Sequence, residues 1–382
     1  APVHSPVSGT IVKIDEVAGF TGYSQPAIQI KTDGDQWLDS IDRSDVLIST
    51  IEGTRQELVQ KIAEAGIVGL GGAAFPTSVK LSVPAGKTID SLVINAVECE
   101  PYLTADHRVM LEHAREVLVG VRILMRALEV KKAFVGIENN KPDAIAIMKE
   151  TIANIGAAPE GEISVVGLKT LYPQGAEKQL IKAVLNREVP SGKLPLDVGA
   201  VVSNVGTAYA VYRAVQKHQP LVQRVITVTG TGITRPGNFL VRIGTPVEDL
   251  IELAGGMPAD AGKVIAGGPM MGQTVGILSA PVVKGTSGIL VLGKAESRRP
   301  EVTPCIRCGR CVNVCPMGLE PYILETLSRA EKNDLNEQMD ERRVLDCIEC
   351  GSCAFTCPAG RPLLDYIRTG KQAVMALRRR TK

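Results

Sequence analysis

The sequence predicts a multidomain α/β protein with a small β module at its N-terminal end and a helical, cysteine-rich module at its C-terminal end. Three observations support this fold class. β-type alternation fills roughly the first forty residues, strands and helices then alternate as far as about residue 217, and eight of the nine cysteines follow position 300. A chain of 382 residues is long enough for about two to four domains.

Composition narrows the classes of function. Aromatic residues make up 3% of the chain and the formal net charge is +2, which argues against a nucleic-acid surface that stacks bases. No apolar stretch approaches the roughly 20 residues that cross a bilayer, so we expect no transmembrane span. Cysteines gathered in two runs indicate metal ligands rather than a disulfide framework, and hence a reducing, cytoplasmic compartment.

Residues 1–50 are the predicted β module. Alternating residues at 6–14 and 27–30 are separated by Gly and Pro turns. The pattern at 8–12 resembles half of a biotinyl or lipoyl barrel-sandwich, but no Met-Lys attachment site is present. Because residue 1 is Ala, we expect that a first half of this module, or a targeting segment, has been removed.

Residues 51–218 are the predicted parallel α/β domain. Strands are expected at 91–96, 133–137, 163–168 and 198–203. Helices are expected at 55–65, 107–128, 142–155, 175–185 and 208–217. Such alternation is typical of a mostly parallel sheet covered by helices on both faces.

Three further units follow. Residues 219–293 are predicted to form a β-grasp domain, with strands at 225–229, 238–243 and 264–266 and a helix at 247–254. Residues 294–303 are a polar linker to the cysteine module, which spans 300–367. Residues 368–382 are expected to be a basic C-terminal helix or tail.

The two cysteine runs share the spacing C-x2-C-x2-C-x3-C-P. In this arrangement three thiolates of a run bind one [4Fe–4S] cluster and the fourth reaches the other cluster. The spacing therefore predicts one cluster held by Cys305, Cys308, Cys311 and Cys357, and a second held by Cys347, Cys350, Cys353 and Cys315. The alternative is a pair of zinc sites, but zinc modules separate their C-x2-C knuckles by longer loops. Cys99 stands alone and is interpreted as a small buried residue.

A glycine-rich segment, 69–74, fits G-x-G-x-x-A by letter. A helix precedes it where a Rossmann fingerprint requires a strand. Its backbone N–H groups, followed by Pro76 and a helix start, still suit an anion, and Lys80 lies one turn into that helix. The alternative is a tight packing loop. Asn95, Glu98 and Glu100 follow an apolar strand at the edge where parallel sheets bind ligands; alternatively, the acids are solvated loop carboxylates.

Four segments, in order, resemble the FMN-binding, NADH-oxidising subunit of respiratory complex I. They are 69–80 (GLGGAAFPTSVK), 95–101 (NAVECEP), 172–180 (YPQGAEKQL) and 203–207 (SNVGT). Val97, Ala176, Ser203 and Gly206 depart from that family, which also has a single cluster. The double cysteine motif, the N-terminal module and the phrase NAVECEPY resemble instead the C subunits of Rnf electron-transport complexes, whose β-grasp unit is SLBB-like.

The resemblance implies cofactors and their ligands. The implied FMN residues are Gly69, Gly71, Gly72, Lys80, Asn95, Glu98, Tyr172, Glu177, Asn204 and Thr207, with Lys80 near the phosphate. The implied NADH contacts are Phe75, which would stack on the nucleotide, Glu100 and Lys193. The cofactors carry the chemistry, so no side chain is predicted to be catalytic.

A flavin connects the two-electron chemistry of a nicotinamide with the one-electron chemistry of a cluster. The resemblance therefore implies a subunit of a membrane ferredoxin:NAD+ oxidoreductase. Electrons would arrive from ferredoxin through the membrane and iron–sulfur subunits of the same complex, which would translocate Na+ or H+. The subunit would lie peripherally on the cytoplasmic face of the membrane.

Three alternatives stay open. A soluble corrinoid (cobalamin) reductase has a similar domain order. A non-catalytic electron relay with a degenerate flavin site is compatible with Val97 and Ala176, and flavin titration would separate it from an enzyme. A β-grasp ligand-binding module on a scaffold is the third alternative.

Overall fold

The computed structural model describes residues 1–156, 159–330 and 334–380. The strands are β1 (Gly9–Ala18), β2 (Ser24–Thr32), β3 (Ser91–Asn95), β4 (Lys132–Glu138), β5 (Glu162–Leu168), β6 (Ala200–Asn204), β7 (Gln223–Thr229), β8 (Gly237–Arg242), β9 (Ala261–Ala266), β10 (Gln273–Thr274) and β11 (Gly288–Gly293). The helices are α1 (Arg55–Glu64), α2 (Thr77–Leu81), α3 (Ala105–Glu112), α4 (Ala114–Leu128), α5 (Pro142–Ile155), α6 (Glu177–Leu185), α7 (Val205–Lys217), α8 (Val247–Leu253), α9 (Lys294–Ser297), α10 (Arg310–Asn313), α11 (Pro321–Arg329), α12 (Asp334–Glu341), α13 (Ser352–Phe355) and α14 (Leu363–Arg380).

A four-stranded parallel sheet, in the order β5-β4-β3-β6, organises the α/β domain. Its strands are apolar on both sides because helices cover both faces. In β3, Leu92 and Ile94 enter the core shared with α1, α4 and α7, whereas Val93 enters the core under α6. This alternation follows from the two-residue period of a strand and confirms the predicted sandwiched sheet.

The strand order creates a topological switch between β3 and β6. From β3 the chain passes to β4 and β5 on one side, and it then returns to β6 on the other side. Asn95 pairs with Asn204 across this junction, at the carboxyl ends of both strands. Ligands of open parallel sheets bind in such crevices, so this edge of the sheet is a candidate ligand-binding site.

The prediction of one helix over 107–128 is wrong, because two helices, α3 and α4, meet at His113. The backbone there has φ −129° and ψ 30°, and the imidazole ring stacks on Tyr209 with the ring centroids 4.5 Å apart. α3 packs against β7, whereas α4 packs along α7 and against α1. A single straight helix would not reach both surfaces.

The two terminal regions of the chain differ in burial. At the N-terminus, β1 and β2 form an antiparallel hairpin whose side chains are mostly exposed. At the C-terminus, α11, α12 and α14 enclose a small core that includes Leu324, Met339 and Ile367. The basic tail expected from residue 368 continues α14 as far as Arg380, and residues 381 and 382 lie outside the described residues.

Between the α/β domain and the cysteine module lies a mixed five-stranded sheet in the order β10-β9-β11-β7-β8. The predicted strands at 225–229, 238–243 and 264–266 are present, and β11 lies between β7 and β9. The expected polar linker begins with the short helix α9, which packs on β9. None of the helices in the described ranges is long and apolar enough to span a bilayer.

Candidate cofactor site

The glycine-rich segment forms a loop that closes on itself beside the switch point. The Gly69 N–H donates to the Phe75 carbonyl oxygen, with an N···O distance of 2.8 Å. Gly72 has a φ of +106°, a conformation that residues with a Cβ atom rarely adopt. Among the described residues, the N–H groups of positions 71–73 donate to no protein acceptor. They are therefore available to an anionic ligand.

The N-terminus of α7 fixes this loop. The Leu70 N–H donates to Thr207 Oγ1 at 2.9 Å, and Thr207 is buried. Asn204 caps α7, because its Oδ1 accepts from the Thr207 N–H at 3.2 Å. A Cβ atom added to Gly71 would lie 3.6 Å from Asn204 Cβ. Gly71, Asn204 and Thr207, all predicted FMN residues, are therefore brought together.

Lys80 lies on α2 and reaches the first turn of α6. Its Nζ is 2.9 Å from Glu177 Oε1 and 3.1 Å from the Val202 carbonyl oxygen. The Lys80 and Glu177 side chains remain 33% and 41% exposed. An incoming phosphate would therefore compete with the Glu177 carboxylate for the Lys80 ammonium group.

The segment after β3 is held at both ends of its first turn. Asn95 Nδ2 donates to the Gly175 carbonyl at 2.7 Å, and Asn95 Oδ1 accepts from the Val97 N–H at 3.3 Å. Glu98 then adopts a φ of +50°, which is uncommon for a non-glycine residue. Asn95 and Glu98, both predicted FMN residues, thus share one tightly bonded turn at the carboxyl edge of the sheet.

The Glu98 carboxylate binds the start of α3. It accepts from the Asp106 N–H at 2.8 Å and from the His107 N–H at 3.0 Å, where the helix dipole favours negative charge. Burial raises the pKa of Glu98, and the Asp106 carboxylate raises it further. Burial also raises the pKa of Asp106, although Asn204 Nδ2, at 2.7 Å, and the buried Arg224 oppose that shift.

Sequence reasoning missed Asp106, Arg224 and Lys141. Arg224 comes from β7 and donates to the Leu70 carbonyl at 3.1 Å, so the β-grasp domain also holds the glycine loop. Lys141 donates to the Val97 carbonyl at 2.9 Å from beneath the turn that follows β3. The available signals were that Asp106 is an acid in the first turn of a helix and that Lys141 belongs to a polar run at the end of a strand. Neither specifies which backbone carbonyl the side chain will find.

Glu100 contacts the β-grasp domain. Its carboxylate accepts from the Met270 N–H at 3.1 Å and from the Met271 N–H at 2.8 Å, in the Gly-Gly-Pro-Met-Met-Gly loop. Phe75 and Lys193, the other residues expected to contact NADH, are exposed, Phe75 on the glycine loop and Lys193 between α6 and β6. The three therefore lie in three different surroundings, and their assignment to NADH stays a prediction.

The cysteine module contacts both neighbouring domains, through Cys350 and Gly351 of its second run and through Pro316 at the end of its first run. The Tyr172 hydroxyl donates to the Cys350 carbonyl oxygen at 2.7 Å. Gln179 Nε2 donates to the Pro316 carbonyl oxygen at 3.1 Å. A Cβ atom on Gly351 would lie 2.6 Å from the Met270 carbonyl oxygen, so only glycine fits beside that loop. Tyr172, a predicted FMN residue, thus connects the flavin domain to the backbone of a predicted cluster ligand.

The four cysteines of one predicted set lie around one cavity, and the assignment of all eight cysteines to two clusters stays a prediction. One cavity, with an empty volume of about 370 Å³, is lined by the four cysteines of the second predicted set: Cys315, Cys347, Cys350 and Cys353. In the first predicted set, Cys305 and Cys308 are exposed, while Cys311 and Cys357 are partly buried. Burial raises the pKa of Cys311, and the nearby Cys357 thiol adds to that shift. In the described residues no three potential ligands converge tightly enough to hold a single metal ion.

The donor chemistry fits an iron–sulfur cluster. Burial, reinforced by Cys347 and Cys350, raises the pKa of Cys353 to about 12. Burial likewise raises the pKa of Cys347. Buried thiols of this kind ionise readily only beside a compensating cation, and the irons of a cluster would supply that positive charge.

Three family models match consecutive parts of the chain. Residues 62–213 match the Nuo51 FMN-binding domain, 225–274 match the SLBB domain and 299–359 match a 4Fe-4S dicluster domain. A solved NAD+-reducing [NiFe]-hydrogenase in the H2-reduced state superposes with a TM-score of 0.59 at 20% identity. The superposition covers 84% of this chain and 62% of the hydrogenase chain. That likeness shows the fold.

Two curated relatives align over nearly the whole chain. The C subunit of the proton-translocating ferredoxin:NAD(+) oxidoreductase complex of Clostridium ljungdahlii is 48% identical, over 100% of this chain and 81% of the relative. The C subunit of the Na(+)-translocating ferredoxin:NAD(+) oxidoreductase complex of Acetobacterium woodii is 44% identical, over 99% of this chain and 83% of the relative.

Proposed function

The chain belongs to the family of C subunits of ion-translocating ferredoxin:NAD(+) oxidoreductase complexes, and we propose that it exchanges electrons between NAD(H) and two [4Fe–4S] clusters through bound FMN. The observation that carries this proposal is the junction between the two sites. Tyr172, beside the flavin crevice, donates a hydrogen bond to the backbone of Cys350. A flavin and a cluster held on the two sides of such a contact would be neighbours, as electron exchange between them requires.

The chain's own residues would bind and orient the flavin. The N–H groups of positions 71–73, Lys80 and the N-terminus of α7 would hold the phosphate. Asn95, Glu98 and Glu177 would face the remainder of FMN, with Asn204 and Thr207 keeping the loop in place. When bound, FMN supplies the conversion between two-electron hydride exchange and one-electron transfer.

The docking contacts also support an assignment of which cluster would lie nearer to the flavin. Contacts from Tyr172, Gln179 and the Met270 loop all reach the region of Cys315 and Cys350, so a cluster held by the second set would lie on the flavin side. Cys305 and Cys308, of the first set, are exposed. The cluster of the first set would therefore exchange electrons with a partner subunit.

The remaining partners follow from the family. Other subunits of the complex would bring electrons from ferredoxin and translocate the ion. The subunit would lie peripherally on the cytoplasmic side of the membrane, with residues 51–218 holding FMN, 219–293 joining the domains and 300–367 holding the clusters.

Anaerobic reconstitution tests the proposal. The full chain, loaded with iron and sulfide, is titrated with FMN and then with NADH while flavin and cluster absorption are recorded. We expect non-covalent binding of one FMN, followed by bleaching of both chromophores by NADH. A protein that holds iron and sulfide but no flavin would instead be the non-catalytic relay.

A further inference from the structure

We infer that Lys141 is a positioning residue for the flavin crevice: it holds the turn at Val97 and Glu98 in place from beneath without contacting the cofactor. This inference rests on the proposed function, because it concerns the geometry of the FMN site. Lys141 lies in the turn between β4 and α5. It is outside the four segments that resemble the FMN-binding subunit of complex I, and no step of the proposed electron transfer uses it.

The Lys141 side chain is buried and fully engaged. Its Nζ is 2.9 Å from the Val97 carbonyl oxygen, 3.1 Å from Asn140 Oδ1 and 3.5 Å from the Glu98 carbonyl oxygen. Glu138 Oε2 is 3.6 Å away. Residue exposures are 6% for Lys141 and 2% for Glu138. An ammonium group has three N–H donors, and these acceptors account for all of them.

Stability alone explains this arrangement poorly. Taking a lysine and a carboxylate out of water costs so much free energy that replacing a buried ion pair with apolar residues is often neutral or stabilising. The pair borders a cleft with an empty volume of about 830 Å³ at the carboxyl edge of the sheet, which Glu98, Glu100 and Tyr172 also line.

The turn that Lys141 holds is the one that presents predicted FMN contacts. Glu98 has a left-handed backbone, with φ +50°, and such a conformation persists only where the surroundings enforce it. The N–H groups of α3 fix the Glu98 carboxylate, Asn95 fixes the Val97 N–H, and Lys141 fixes the two carbonyl oxygens. Without Lys141 the carbonyl side of this turn would lose its buried donor.

Substitution of Lys141 by Met, which keeps the length of the side chain without its charge, tests the inference. We expect the FMN dissociation constant of the cluster-loaded chain to rise about tenfold, the loss expected from one hydrogen bond to a charged group. Lys141→Arg should recover part of that affinity. The midpoint potential of bound FMN should also change in Lys141→Met, because a positive charge beneath the turn is removed.

Lys217 offers a matched control. It is equally buried and bonds to Asp42 Oδ2 at 2.7 Å and to the Val46 carbonyl oxygen at 2.6 Å, but it lies at the end of α7 opposite to the crevice. Lys217→Met should lower the melting temperature and leave FMN affinity and potential unchanged. Equal losses of FMN affinity in both variants would reduce Lys141 to a general structural role and overturn the inference.

A second variant covers the case in which Lys141→Met does not fold. Glu138→Gln keeps the shape and leaves Lys141 in place, and we expect it to weaken FMN binding by a smaller factor. Wild-type FMN affinity in Glu138→Gln, with no shift in potential, would also overturn the inference. If the wild-type chain binds no FMN, the proposed function itself fails, which is a distinguishable result.

Discussion

The flavin crevice and the cysteine module are prepared for their cofactors in opposite ways. In the crevice, Asn95, Glu98 and Asn204 each bond to other protein groups through both polar atoms of the side chain. In the module, the thiols of the second set line a cavity, where Cys315 Sγ accepts a hydrogen bond from the Leu319 N–H at 3.4 Å. The protein shapes the first site by itself, whereas iron must complete the second.

The domains that carry the two sites also differ in the size of their hydrophobic cores. The α/β domain has one extensive core under α1, α4 and α7 and a second under α6. The cysteine module has a small core, in which Cys353 is itself a member and Cys311, Cys315, Cys347 and Cys357 pack at the edge. Below a certain size a hydrophobic core alone does not stabilise a domain, and metal binding supplies the deficit.

Removal of iron should produce the largest difference between the two regions. With a chelator and reductant, we expect residues 300–380 to lose protection from amide hydrogen exchange, while the α/β domain keeps its protection and its FMN. The measurement is hydrogen–deuterium exchange followed by mass spectrometry, with removal of FMN as the reciprocal control. A cysteine module that stays fully protected without iron would abolish the contrast between self-built and metal-built sites.

Gly309 and Gly351 occupy the same position in the two cysteine runs, and substituting each by Ala compares an exposed part of the module with its contact to the β-grasp domain. Gly351 and Gly309 have φ values of +79° and +73°, so an added Cβ carries a similar conformational penalty of about 1 kcal/mol in each. At Gly351 it would also lie 2.6 Å from the Met270 carbonyl oxygen, whereas at Gly309 nothing lies within 4 Å.

We therefore expect Gly351→Ala to reduce the free energy of unfolding by about 1–3 kcal/mol more than Gly309→Ala does, because of this overpacking. Urea denaturation of the cluster-loaded chain measures the difference. Equal losses would mean that the module does not depend on its contact with the β-grasp loop.

A smaller effect is expected from pH at the crevice. The pKa of Glu98 is raised to about 8 by burial and by Asp106, whereas an unfolded Glu has a pKa of about 4.3. Between these values the folded state binds more protons than the unfolded state, so stability falls as pH rises. Glu98→Gln removes the ionisation, and the melting temperature of this variant relative to wild type should rise with pH and level off above about 8.

Glu57 is a control whose stability contribution should change with pH in the opposite direction. Hydrogen bonds from Thr54 lower the pKa of Glu57, so its charge contributes stability at neutral pH that is lost on acidification. Glu57→Gln should be less stable than wild type at pH 7 and should approach it in acid. If the two variants respond to pH in the same direction, the burial of the Glu98 carboxyl does not control its ionisation.

Sequence reasoning reached much of this architecture. The strand-and-helix alternation predicted the parallel sheet, and the repeated C-x2-C-x2-C-x3-C-P motif predicted which four cysteines share a cavity, because those patterns encode spacing along a single chain. The single helix at 107–128 was wrong, because two helices meet at His113. The imidazole ring there stacks on Tyr209, which is almost a hundred residues away in the chain and which no local pattern indicates.

Local patterns in the amino-acid sequence were enough to establish the fold class and to predict the cysteine sets, because periodicity and short-range spacing are local properties. The segments that surround the crevice were indicated by their resemblance to the FMN-binding subunit of complex I. The folded chain was needed to show that Lys141 supports the Val97 carbonyl, that Arg224 crosses from the β-grasp domain to Leu70, and that Glu100 binds the Met270 loop. Each of these is a bond between a side chain and a distant backbone atom. Backbone atoms are the same in every residue, so no sequence pattern marks which of them a side chain will reach.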